Sequence, residues 1–124
     1  MKKTLAILLF TLGLNNIAFA KTQGDVYSPK QGIICDKKAQ FCVDNKGISM
    51  KETKSYLGEK AKKSFLKMID GIDDMDMTVF TFSNGLSCDT NKKICKKSKW
   101  DDNANPKWTK ILFGEEGIIL AEPV

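Results

Sequence analysis

The sequence predicts an α+β fold: a small disulfide-stapled domain of two pseudo-repeats, each a strand, a Cys-x6-Cys β-hairpin and a short helix. Three observations predict it. "VYSPKQGIICDKKAQFC" (26–42) returns 53 positions later as "VFTFSNGLSCDTNKKIC" (79–95). "SMKETKSYLG" (49–58) returns as "NPKWTKILFG" (105–114), after three extra residues in the second copy. The four cysteines, Cys35, Cys42, Cys88 and Cys95, fall as two pairs of identical spacing. Matches in one order, at offsets that differ only by a three-residue insertion, are the mark of an internal repeat. The first repeat runs over about 26–58 and the second over about 79–114.

Residues 1–20 precede the domain and read as a secretory signal peptide. Lys2 and Lys3 give a positive start, Leu5 to Leu14 is a short apolar run, and Ala18-Phe19-Ala20 fits a cleavage site. The run is too short to span a bilayer comfortably, and no later segment is long and apolar enough to do so. The expected mature chain is one domain, 21–124, in the periplasm or secreted. In such a compartment an even number of cysteines reads as disulfides.

Each repeat opens with Val-aromatic-Ser/Thr, an alternating strand. Gly-apolar-x-Cys-Asp then enters a hairpin. Opposing Cys35 to Cys42 pairs Asp36 with Phe41 and Lys37 with Gln40, and leaves Lys38-Ala39 as the turn. Asn91-Lys92 take that place in the second copy, where Asn tolerates positive φ. Directly opposed cysteines suit a disulfide. Cross-pairing between the copies is the alternative, and a duplicated unit that carries its own pair argues against it. Ser49 followed by Glu52 forms a capping box, and Asn105-Pro106 a cap with proline at the first helical position. Gly58 and Gly114 sit where a helix stops. After Gly58, Ala61, Phe65 and Met68 predict a second helix by their spacing. After Gly114, "GIIL" reads as a closing strand and Glu122-Pro123-Val124 as a tail. One unit is too small to bury its own apolar face, so the copies are expected to pack face to face with a pseudo-twofold relation. Trp100, Trp108, Tyr56 and Phe113 are expected to fill the core or the seam.

The chain carries 20 lysines against 15 acids, with neither arginine nor histidine. Charge runs in blocks. Residues 70–89 hold five aspartates and no lysine, and 90–110 hold seven lysines and two aspartates. Without histidine, Ser-His-Asp and Cys-His catalysis and His metal sites are excluded. Six residues within each cysteine pair are too many for the usual zinc spacing, and neither pair is Cys-x-x-Cys. Asp70 to Asp76 ("DGIDDMD") has the alternation of a hard-cation loop but not its continuation, so a solvated linker is the favoured reading. Asp36 and Asp89 are the symmetric candidates for a small carboxylate hydrolase. Aspartate at a hairpin entry is more simply a turn-stabilising residue. No cofactor, metal or catalytic residue is expected.

"KKICKKSKW" supplies the candidate ligand patch: Lys92, Lys93, Lys96, Lys97, Lys99 and Trp100. Lysines beside an aromatic suit a polyanion, such as envelope glycan or nucleic acid. Side chains alternate along a strand, so not all five lysines share a face. A solvated edge strand protected by lysine against aggregation is the simpler reading.

With the repeat laid out, "GIICDKKAQFCVDNKGIS", "KSYLG", "FTFSNGLSCDTNKKIC" and "TKILFG" carry a resemblance to the YcgJ or Fels prophage protein-like family of small exported bacterial proteins. It spans essentially the whole mature chain. It implies an exported, cysteine-containing domain and brings no catalytic residues with it. The function expected is a non-enzymatic protein-binding module whose partner is another exported or envelope protein. The alternatives are the polyanion binder and the carboxylate hydrolase.

Overall fold

The structure is a computed structural model that describes residues 24–117. The leader, most of the expected closing strand and the tail lie outside the described residues. Among the described residues the elements follow in order: β1 (Val26–Lys30), β2 (Ile33–Asp36), β3 (Phe41–Asp44), β4 (Gly47–Ser49), α1 (Met50–Leu57), α2 (Glu59–Ile69), β5 (Val79–Thr81), β6 (Ser87–Asp89), β7 (Ile94–Lys96) and α3 (Pro106–Phe113). They build two antiparallel sheets, β1-β2-β3-β4 and β5-β6-β7.

The duplicated sequence folds into duplicated structure. Cys35 faces Cys42 and Cys88 faces Cys95, each pair with Cα atoms 4.0 Å apart and a disulfide between them. Val26 opposes Asp36 in one sheet as Val79 opposes Asp89 in the other. Ser49 Oγ accepts the Glu52 N–H to start α1, and Asn105 Oδ1 accepts the Trp108 N–H to start α3. Gly58 and Gly114, both at positive φ, end them as the Gly58 and Gly114 N–H groups return to the Lys54 and Lys110 carbonyls. Thr53 of α1 accepts the Cys42 N–H through its hydroxyl, and Thr109 of α3 accepts the Cys95 N–H in the same way. Both threonines are fully buried.

Strand β4 was not expected. Gly-Ile-Ser is too short to announce a strand, and its pairing of Ile48 with Val43 is a tertiary choice. Gly47 explains part of that choice. Its φ is 134°, and a Cβ there would fall onto the Met77 carbonyl oxygen. The same carbonyl accepts the Ile48 N–H at 2.8 Å, which ties the linker's end to β4.

The packing of the two units departs from the expected pseudo-twofold. Each sheet has a cysteine face and an aspartate face, because successive side chains alternate. Helix α1 lies on the cysteine face of the first sheet, where Leu57 and Tyr27 pack with Ile33, Cys35 and Cys42. Burial there raises the Tyr27 phenol above its ordinary value, with Tyr56 adding to the effect. The aspartate face of that sheet, with Val26, Ile34, Phe41 and Val43, enters the main core. It meets the other unit's cysteine face: Phe80, Cys88 and Cys95, with Trp108 and Leu112 of α3. Unlike faces therefore meet, and the units stack in one sense. The residues explain it. Ile34 and Val43 of the first aspartate face correspond to Ser87 and Lys96 of the second. Only the first copy of that face is apolar enough to bury.

The core is aromatic where the units join. The Phe41 and Phe82 rings stack with centroids 5.4 Å apart, and Phe80 and Phe65 close around them. Helix α2 forms as its spacing predicts and buries Ala61 and Phe65. Met68 is exposed, however, and Ile69, four residues on from Phe65, packs against the core in its place. Beyond Gly114, residues 115–117 continue as helix, so Gly117 does not open the expected strand.

Candidate functional site

Each Cys-Asp begins a four-residue turn. Asp36 Oδ1 accepts the Lys38 and Ala39 N–H groups at 3.0 Å, and Asp89 Oδ1 accepts those of Asn91 and Lys92 at 2.9 and 3.2 Å. The turn then needs one left-handed residue. Gln40 (φ 64°) and Lys93 (φ 56°) fill it in the two copies, so the expected positive φ belongs to Lys93 and not to Asn91. Aspartate directs the turn because its carboxylate imitates a backbone acceptor.

Here the copies part. Asp36 is fully buried and takes two more bonds across the interface. Its Oδ2 accepts the Ser83 N–H at 2.6 Å and its Oδ1 the Ser83 hydroxyl at 2.8 Å. Four donors on one carboxylate fix the first hairpin to the segment that follows β5. Such a group has no route to a substrate. Asp89 is only half-buried, and its Oδ2 has no partner among the described residues.

The aspartate face of the second sheet is open on its outer side. Val79, 43% exposed, lies there with Ser87, Asp89, Ile94, Lys96 and the neighbouring Lys99 around a shallow pocket of about 160 Å³. The longer loop beyond β7 rises beside it and closes with a single bridge between Lys96 and Ala104. Trp100, at 81% exposure, stands in this loop with the Lys99 ammonium 4.9 Å from its ring centre. Trp100 and Tyr56 thus depart from the expected core, which Trp108 and Phe113 do fill. Trp100 sits in the stretch that the second copy lengthens, where no partner strand among the described residues comes over it.

The other lysines of the run separate as strand alternation requires. Lys97 points away from Lys96 and lines a larger cleft of about 500 Å³ with Gly24, Asn84, Leu86 and Asn105. Lys92 is exposed at the hairpin turn, and Lys93 reaches Glu116 at 4.0 Å. Of the six residues in the expected patch, the structure gathers Lys96, Lys99 and Trp100. The residues that sequence reasoning missed are Val79, Ser87 and Ile94. Their signal was the polar replacement of one face in the second copy, visible once the copies are aligned.

One linker aspartate, Asp76, serves the local chain. Asp76 Oδ1 accepts both the hydroxyl and the N–H of Thr78. The Thr78 hydroxyl, then its N–H, hold the Asp76 carboxyl below the usual carboxylate range. Among the described residues, no three Cys, Asp or Glu are grouped to hold a metal ion, and no helix is long and apolar enough to cross a membrane.

Comparison with known proteins agrees with the repeat and its cysteines. The family model described as YcgJ protein matches residues 26–113. The protein named "Uncharacterized protein YcgJ" from Escherichia coli (strain K12) is 33% identical over 119 residues, covering 85% of this chain and 93% of the relative. No solved structure matches the chain significantly. The chain belongs to the YcgJ family.

Proposed function

We propose that this YcgJ-family chain is a non-enzymatic module that binds another exported or envelope protein. Its binding surface is the outer face of the second sheet together with the Trp100 loop. One observation carries the reading: Trp100 stands 81% exposed over the Lys99 ammonium, and Lys99 itself borders the pocket lined by Val79 and Ile94. A large aromatic left in water beside an apolar strip is the usual composition of a protein-binding anchor. The fold supports the reading. Two disulfides and a shared aromatic core hold the surface rigid, and rigid surfaces lose little entropy on binding. Disulfides also persist in oxidising compartments, which supports an exported protein. Asp36, spent on backbone and Ser83, gives no support to a paired-carboxylate hydrolase.

A second reading, a polyanion binder, draws on Lys96 and Lys99 flanking the same pocket. Salt separates the two readings, because lysine-phosphate contacts weaken steeply as salt rises. The oxidised protein and its Trp100→Ala variant would be immobilised side by side and offered a cell-envelope extract. The expected result is one protein that resists a salt gradient on the parent and is lost from the variant. Glycan or nucleic acid released by moderate salt from both columns would replace this reading with the polyanion one.

A further inference from the structure

We infer that the outer face of the second sheet docks an extended partner segment bearing an aromatic residue followed by serine or threonine, with Asp89 as the polar anchor. This rests on the protein-binding reading above and names the chemistry of the partner. The molecule supplies its own template. On the first aspartate face, the segment after β5 lies across the hairpin. Phe82 stacks on Phe41, and Ser83 gives its N–H and its hydroxyl to Asp36. Residue for residue, Val26, Asp36 and Phe41 correspond to Val79, Asp89 and Ile94. The turn that aims the carboxylate is the same in both copies, since Oδ1 is held by the two following N–H groups. Among the described residues, what the second copy lacks is the cover: Asp89 Oδ2 has no partner there, where Asp36 Oδ2 takes the Ser83 N–H.

Charge narrows the occupant. Lys96 and Lys99 border the pocket. Continuing the same-sense stacking with a second copy of this chain would bring the exposed side of α1 against them, with Lys51 and with Lys54, which is paired with Glu59 at 3.5 Å. Like charges oppose that arrangement. The partner segment is therefore from a different protein and carries acidic residues near its aromatic-Ser pair. The chain's own "DDMDMTVFTFSN" (73–84) has that composition.

A synthetic peptide of residues 73–84 is the probe, titrated to about 1 mM into isotope-labelled oxidised protein and followed by amide NMR. Shifts are expected at Val79, Asp89, Ile94 and Lys96, with binding about tenfold weaker for Asp89→Asn. Asparagine keeps the carbonyl that organises the turn, so the fold is spared. The same peptide carrying Ser83→Ala is expected to lose binding equally. Three results would overturn the inference: no shifts, shifts confined to Asp36 and Phe41, or equal binding by Asp89→Asn. A partner caught on the column that needs Trp100 but ignores Asp89→Asn would also overturn it, and would leave the binding-module reading intact.

Discussion

The two hairpins share a cysteine spacing, a disulfide, an aspartate-directed turn and a threonine on the following helix, yet they do opposite jobs. The first presents Ile34, Phe41 and Val43 to the core and has its aspartate sealed under Ser83. The second buries only Ser87 of the corresponding positions and leaves Ile94, Lys96 and its aspartate half-exposed. Local structure has survived duplication, and burial has not. The backbone and disulfide are set within each unit. Which face is covered is set by three or four side chains and by what the rest of the chain lays over them. Stacking in one sense guarantees the asymmetry, because the last unit of such a series always has one face with no neighbour.

The sharpest way to break this comparison is at its aspartates. Asp36→Ala removes a buried acceptor and leaves three part-buried N–H groups and the Ser83 hydroxyl unpaired, and is expected to cost about 3 kcal/mol. Asp89→Ala is expected to cost about 1 kcal/mol, read as denaturant midpoints on the two variants. Equal losses would show that the Ser83 contact is not what separates the hairpins. The disulfides come next. Closing a loop of about eight residues gives roughly 2.5 kcal/mol in the chain-entropy model. Replacing Cys35 and Cys42 by alanine should lose about that much. Replacing Cys88 and Cys95 should lose about 1 kcal/mol more, because they lie in the main core and not in the smaller outer cluster. Thermal unfolding of the two double variants decides the order.

The threonines test what the units share. Thr53→Val and Thr109→Val each strand one buried cysteine N–H, and each should cost about 2 kcal/mol. A difference greater than about 1 kcal/mol between them would mean that the helices are not held alike. The smallest effect is expected at Trp100→Ala, within about 0.5 kcal/mol of the parent in stability. A larger loss would mean that the loop packs on the body and is not a free anchor.

Much of this was legible in the residues. The repeat, both disulfides, the helix starts at Ser49 and Asn105 and the stops at Gly58 and Gly114 are local features, and local chemistry writes them directly. Strand β4 was not legible, since Gly47 owes its place to the distant Met77 carbonyl. The choice of Ile69 over Met68 rests on where Phe41 and Phe65 meet. The relation between the units was misread because aligned copies suggest symmetry, while Ser87 and Lys96 in place of Ile34 and Val43 already forbade it. For the candidate site, the lysine run and Trp100 could be named from sequence. Their sorting into one pocket, one cleft and one ion pair needed the sheet.

Both disulfides join cysteines seven positions apart, in chain order. For a chain delivered to an oxidant N-terminus first, Cys42 meets Cys35 long before Cys88 emerges. The first crosslink can close while its only possible partner is the correct one, and the second pair then finds no free thiol to exchange with. Four cysteines permit three pairings, and this spacing turns the choice into a sequence of events. Oxidative maturation of this protein should therefore proceed without a disulfide isomerase, although the finished fold still waits for Phe82 and Ser83 to reach the first hairpin.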